Sequence, residues 1–153
     1  MVRVLMVCLG NICRSPLAEG ILKSKVDSQS VFVDSAGTGG WHVGHLPDVR
    51  SIEIARNYDL DITDQRCRRF TPVDFHKFDL IYVMDRSNLS DVLALASSDL
   101  EREKVMLILD ELYPGEEREV PDPYYGGPQG FDNVYKMLDA ACEVISNRLT
   151  HGG

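Results

Sequence analysis

Val2-Arg3-Val4-Leu5-Met6-Val7-Cys8-Leu9-Gly10-Asn11-Ile12-Cys13-Arg14-Ser15-Pro16 leads directly into Leu17-Ala18-Glu19-Gly20-Ile21-Leu22. The valine-rich apolar run from Val2 to Val7 reads as a buried strand, and the segment after Pro16 reads as a helix. The loop between them carries two thiols, a Gly-Asn pair and an arginine. Ser15 is a good N-cap, and Pro16 suits the first helical position, where its missing N–H costs nothing. Free N–H groups of such a loop converge where the helix dipole is positive, which makes an anion site.

The residue types in this loop suit phosphate chemistry. Cysteine reacts as thiolate, a form favoured at a helix N-terminus beside arginine, so Cys8 is the candidate nucleophile. Arg14 can offer a planar fork to two phosphate oxygens, holding phosphorus for in-line attack, which lysine cannot copy. Gly10 and Asn11 tolerate the positive φ that a backbone curling around an oxyanion tends to require. The Ser15 hydroxyl is placed to hydrogen-bond the thiolate. Leu9, Gly10, Asn11, Ile12, Cys13, Arg14 and Ser15 are therefore the candidate phosphate-binding residues.

Spacing alone does not carry this reading. Cys142 and Arg148 repeat the six-residue interval in Cys142-Glu143-Val144-Ile145-Ser146-Asn147-Arg148, a segment with no glycine, no preceding strand and a helical apolar period. The strand before Cys8 and the helix after Arg14 separate the two cases. Thiolate attack on a phosphoryl group also calls for an acid on another loop to protonate the leaving oxygen. Asp122 is the candidate, in the turn-rich segment Val120-Pro121-Asp122-Pro123-Tyr124-Tyr125-Gly126-Gly127-Pro128. On the residues alone, an ordinary turn aspartate is the stronger reading.

Further apolar runs at Val31–Val33, Asp79–Met84 and Lys104–Leu109 read as strands, and Asp48–Tyr58 and Ser87–Ser97 as helices. Val134, Leu138, Ala141, Ile145 and Leu149 share one face of a last helix, and a short helix is expected at Thr71-Pro72-Val73-Asp74, capped by threonine. Alternation of this kind predicts an α/β fold: a single-domain, doubly wound, four-stranded parallel sheet with helices on both faces, spanning residues 1–153. Ligands of such sheets bind beyond the carboxyl ends of the strands, where Cys8 and Asp122 would meet.

A net charge of −8 argues against nucleic-acid partners. Arg66-Cys67-Arg68-Arg69 is the one basic cluster and reads as a solvated edge. No stretch resembles a membrane span or secretory signal, so a cytoplasmic protein without membrane partners is expected. The four cysteines then read as free thiols, with Cys67 and Cys142 structural. His42-Val43-Gly44-His45 reads as an exposed loop; no metal and no cofactor is expected. Trp41, Tyr124 and Tyr125 could wall a pocket for a flat phenolic group, although Trp41 alone reads equally as a core or loop anchor.

The run Val7 to Pro16 closely resembles the low-molecular-weight protein tyrosine phosphatases. Ser35-Ala36-Gly37-Thr38 resembles a second loop of that family, Met84-Asp85-Arg86-Ser87-Asn88 a later one, and Asp122-Pro123-Tyr124 its general-acid loop. The resemblance implies hydrolysis of phosphotyrosine monoesters and aryl phosphates through a cysteinyl-phosphate. Its implied catalytic residues are Cys8, Arg14 and Asp122, with Ser35 and Asp85 in support and Trp41, Tyr124 and Tyr125 as substrate wall. Implied partners are phosphotyrosine-containing proteins, and a monomer or weak homodimer is expected. It further implies that Cys13 protects an oxidised Cys8 as a reversible disulfide. Ile12 points to the tyrosine type, because members acting on phosphoarginine resemble a threonine-bearing loop there. Gln65 stands where members often carry a histidine. Two rivals remain: an arsenate reductase, which resembles a chain with two more relay cysteines, and a phosphotyrosine-binding module that hydrolyses nothing.

Overall fold

The computed structural model describes residues 1–123 and 129–151, so Tyr124 and Tyr125 lie outside the described residues. Its strands are β1 (Val2–Cys8), β2 (Val31–Gly37), β3 (Leu80–Val83) and β4 (Val105–Leu107), and its helices α1 (Arg14–Lys25), α2 (Val49–Asn57), α3 (Asp74–Lys77), α4 (Arg86–Leu93), α5 (Asp99–Glu103) and α6 (Gly130–His151). All strand pairs are parallel, in the order β2-β1-β3-β4.

The side-chain alternation of β1 explains why Val4 to Val7 are apolar without interruption. Val4 and Met6 enter a core with Leu17 and Ile21 of α1 and Leu138, Ala141 and Ile145 of α6. Leu5 and Val7 point the opposite way, into Phe70, Phe75, Phe78 and Val92. Both faces are covered, as a central parallel strand requires. The chain leaves β1 toward β2 on one side and later returns to β3 on the other, so the carboxyl end of β1 is the switch point of the sheet. Cys8 is its last residue.

Several expected boundaries shift, each for a local reason. β2 runs on through Gly37 because Ser35, Ala36 and Gly37 pair with Met6, Val7 and Cys8, so Ser35 lies within a strand and does not start a loop. The run Lys104–Leu109 forms only three strand residues before a 3₁₀ turn at Ile108–Glu111. Helix α1 begins at Arg14, with Cys13 at the cap position and no side-chain cap bond, because the Ser15 hydroxyl is used elsewhere. Thr71 caps nothing: its N–H donates to the Asp74 carboxylate at 2.9 Å, and the helix starts at Asp74. Asp48 and Asp85 cap α2 and α4, accepting from the Arg50 and Asn88 N–H groups at 2.8 Å.

The basic cluster is a solvated edge only at Arg66 and Arg69, which are exposed; Cys67 and Arg68 turn inward. Arg68 is held by Asp34 at 3.1 Å and by both oxygens of Asp74 at 3.1 and 3.2 Å, Cys67 is buried, and the Gly37 N–H donates to the Arg68 carbonyl. This segment lies alongside the end of β2, against the Cys8 loop.

Candidate active site

The loop after β1 is shaped by its carbonyls. Those of Cys8, Leu9 and Ile12 accept hydrogen bonds from the N–H groups of Thr38, Gly39 and Asp48 at 2.8 to 2.9 Å, and that of Asn11 accepts from the Cys67 thiol at 2.8 Å. A trans peptide is planar, with its N–H opposed to its C=O. Pinning these four carbonyls outward therefore turns the N–H groups of Leu9, Gly10, Ile12 and Cys13 inward, a nest of partial positive charge at the start of α1.

Asn11 takes φ +58°, the left-handed bend expected of it, whereas Gly10 stays outside that region. The small size of Gly10 instead makes room for His42, whose ring carbon would stand 3.3 Å from a Cβ there. Asn11 is buried, and its Nδ2 donates to Ser15 Oγ at 2.8 Å and Ser35 Oγ at 3.0 Å while its Oδ1 accepts from the Arg68 N–H at 2.9 Å. Ser35 in turn donates to Glu19 Oε1 at 2.6 Å, and Lys23 holds the other Glu19 oxygen. Burial raises the Glu19 carboxyl above its ordinary range, against the pull of its Lys23 and Ser35 bonds.

Cys8 is only 3% exposed at the floor of a cleft of about 580 Å³, with its Sγ 3.0 Å from Ser15 Oγ. Asn11 already donates to that hydroxyl, so the Ser15 proton is left for the sulfur, its alternative being the Ala36 carbonyl at 3.5 Å. Arg14 is buried beside it. Its Nη1 donates to Asp85 Oδ2 at 2.7 Å and to the Val120 carbonyl at 2.9 Å, and among the described residues its Nε and Nη2 have no partner. The Val120 N–H meanwhile donates to the Met84 carbonyl at the end of β3. Two residues later, half-buried Asp122 lines the same cleft as Cys8. Thus the arginine that faces the cradle also anchors the approach to the candidate acid.

Gly37 is where this loop meets β2. A Cβ there would lie 2.8 Å from the Leu9 carbonyl oxygen and 3.0 Å from the Asn11 nitrogen. Gly37→Ala must lift the loop, and overpacking of this kind costs roughly 1–3 kcal/mol. The expected result is a lowered Tm together with a fall of about tenfold in kcat/KM toward an aryl phosphate.

Residues 3–152 match the family described as low molecular weight phosphotyrosine protein phosphatase. The chain belongs to that family. It is 41% identical to the low molecular weight phosphotyrosine protein phosphatase of Schizosaccharomyces pombe, over 90% of each chain. With the low molecular weight phosphotyrosine protein phosphatase 1 of Drosophila melanogaster it shares 42% identity over 94% of each chain. Among solved structures it is similar to a protein tyrosine phosphatase from Entamoeba histolytica, at a TM-score of 0.91 and 34% identity over 99% of each chain.

Against the phosphatase pattern, Gln65 does not reach Asn11 or Ser15. Its Nε2 donates to the Pro16 carbonyl at 3.0 Å, steadying the first turn of α1, and the bracing of Asn11 falls to Ser15, Ser35, Cys67 and Arg68. Cys13 is buried, and burial first, then the Asp48 carboxylate, pushes its thiol up to about 12. Trp41 is 69% exposed at the cleft rim, with its ring folded over Gly39, so it is no core anchor. Leu9, Ile12, His42, His45 and Leu46 line the cleft as well. Three further residues brace the loop: Glu19, Cys67 and Arg68. For Glu19 a signal existed, a carboxylate set among the apolar Leu17, Ala18, Ile21 and Leu22 with a lysine four residues on.

Proposed function

We propose that the chain hydrolyses phosphotyrosine monoesters of proteins, and aryl phosphates generally, through a phosphoryl group carried on Cys8. The observation that carries this reading is buried Cys8 Sγ, 3.0 Å from a hydroxyl free to donate to it, at the foot of a loop whose four carbonyls are all taken by neighbouring donors, which turns its N–H groups inward. The inward N–H groups and the Nε and Nη2 edge of Arg14 hold the three non-bridging oxygens, and the sulfur attacks phosphorus in line with the bond to the phenolic oxygen. As that bond breaks, Asp122 gives its proton to the phenolate. Asp122, now a carboxylate, takes a proton from water as the water oxygen attacks phosphorus. Phosphate leaves, and the thiolate returns to the Ser15 hydroxyl.

Depth supplies selectivity. With Cys8 on the cleft floor and Trp41 at its rim, a long flat phosphotyrosine side chain reaches the sulfur where a short phosphoserine does not. Substrates are therefore phosphoproteins. Nucleic acid is disfavoured by the net charge of −8, and among the described residues no helix is long and apolar enough to cross a membrane. Under peroxide, Cys8 is oxidised to the sulfenic acid, and attack by Cys13 releases water and closes a disulfide. Because its pKa lies near 12, Cys13 must first lose a firmly held proton.

The deciding measurement is rapid-quench capture of phosphate on Cys8 from an aryl phosphate in the presence of a chelator. Asp122→Asn is expected to lower kcat by about 10²- to 10⁴-fold for poor phenolic leaving groups and far less for good ones. Arsenate reduction without aryl phosphate turnover, or phosphopeptide binding without turnover, would overturn the reading.

A further inference from the structure

Of the four outward carbonyls in the phosphate loop, three are held by main-chain N–H groups, of Thr38, Gly39 and Asp48. Main-chain donors persist whatever side chain they carry. The fourth, on Asn11, is held by a side chain, the Cys67 thiol at 2.8 Å. It also belongs to the peptide that follows the left-handed residue of the loop, at φ +58°. If the Asn11–Ile12 peptide turned over, its N–H would leave the cradle and its carbonyl oxygen would enter, facing the phosphate oxygens with like charge.

We propose that Cys67 is a positioning residue of the phosphate cradle, its S–H holding the Asn11–Ile12 peptide with the N–H directed at the bound phosphoryl group. This rests on the phosphatase reading given above. The surroundings of Cys67 are built to keep the thiol in place. Its N–H donates to the His45 carbonyl and its carbonyl accepts from the Gly44 N–H, both at 2.8 Å. The next N–H, of Arg68, donates to Asn11 Oδ1, so main chain and side chain of Asn11 are gripped from the same short segment. Arg68 is itself fixed by Asp34 and Asp74. The Leu46 carbonyl lies 3.8 Å from Cys67 Sγ, which links the loop to the cleft wall. Burial and the charge of nearby Cys8 both raise the Cys67 pKa, so at neutral pH the group keeps the proton it must donate.

A positioning role is separable from packing by three variants. Cys67→Ser keeps a donor, Cys67→Ala removes the donor and the volume, and Cys67→Val fills the space without donating. The readouts are the competitive inhibition constant of inorganic phosphate against aryl phosphate hydrolysis, the split between kcat and KM, and the Tm. Cys67→Ala and Cys67→Val are expected to weaken phosphate inhibition about tenfold and to raise KM in parallel, the size of one lost hydrogen bond to a buried carbonyl. Cys67→Ser is expected to recover most of that loss. The proposal is overturned if Cys67→Val binds phosphate like the parent, if Cys67→Ser is as weak as Cys67→Val, or if the losses simply follow Tm across the series. A parent chain that neither binds phosphate nor hydrolyses aryl phosphates removes the phosphatase reading itself, and this one with it.

Discussion

Cys8→Ser is expected to reduce aryl phosphate turnover by about 10⁴-fold or more, the scale seen when an enzyme loses its nucleophile. A serine hydroxyl at this position stays protonated, because among the described residues the hydrogen-bond partner of Cys8 is Ser15, itself a hydroxyl and no base. The N–H groups of the cradle do not depend on the sulfur, since their carbonyls are held by Thr38, Gly39, Asp48 and Cys67. Inorganic phosphate should therefore still bind Cys8→Ser, and calorimetry beside a kinetic assay separates the two properties. Retained turnover in this variant would remove Cys8 from the chemistry. Loss of both turnover and phosphate binding would point to a collapsed loop instead.

Arg14→Lys is expected to lower kcat/KM by about 10³-fold or more, within the range attributed to arginines that stabilise phosphoryl-transfer transition states. One ammonium group cannot do what the guanidinium does here. Nη1 holds Asp85 and the Val120 carbonyl, and in the proposed mechanism the Nε and Nη2 edge, without a partner among the described residues, is the one that takes the phosphoryl oxygens. The lysine must choose between them. If it stays with Asp85 and Val120 the phosphoryl oxygens lose their fork, and if it turns to the substrate the Val120 tie is lost. In the second case the segment leading to Asp122 loosens, and the leaving-group dependence of kcat should steepen as it does for Asp122→Asn. Measuring kcat for phenols of graded acidity in Arg14→Lys tells the two apart. Unchanged kcat/KM would exclude the transition-state role.

The parts of this site visible in the sequence are those encoded locally. An apolar β1 run, a Gly-Asn bend, an arginine at the helix start and a distant turn-rich acid segment all carry their signal within a few residues. The β1–α1 unit and the four-stranded parallel sheet follow from periodicity, and only their edges moved. Ser-Pro at a helix start has the local meaning of a cap, and that reading fails because Ser15 lies inside α1; its expected bond to Cys8 is present, whereas the bond it accepts from Asn11 depends on how the loop curls and has no local signal. Ser35 read as a loop residue because its strand pairing with Met6 is non-local. Cys67 and Arg68 were opaque for the same reason: their partners lie 56 and 57 residues away, and nothing in Arg66-Cys67-Arg68-Arg69 signals a neighbouring phosphate loop. Tyr124 and Tyr125, the remaining candidates for the wall, lie outside the described residues.

The outward-facing carbonyls have an evolutionary corollary. Three of the four restraints on the cradle come from main chain, so mutation of the side chains at Thr38, Gly39 and Asp48 has limited access to the catalytic geometry. The side chains of the rim residues Leu9, Trp41 and Leu46 are exposed at the cleft, and the contacts that Leu9 and Leu46 make to the cradle come from their main chain. Substrate preference can drift through those rim positions while the reaction stays fixed, and a lineage can acquire new phosphoprotein targets without passing through an inactive intermediate.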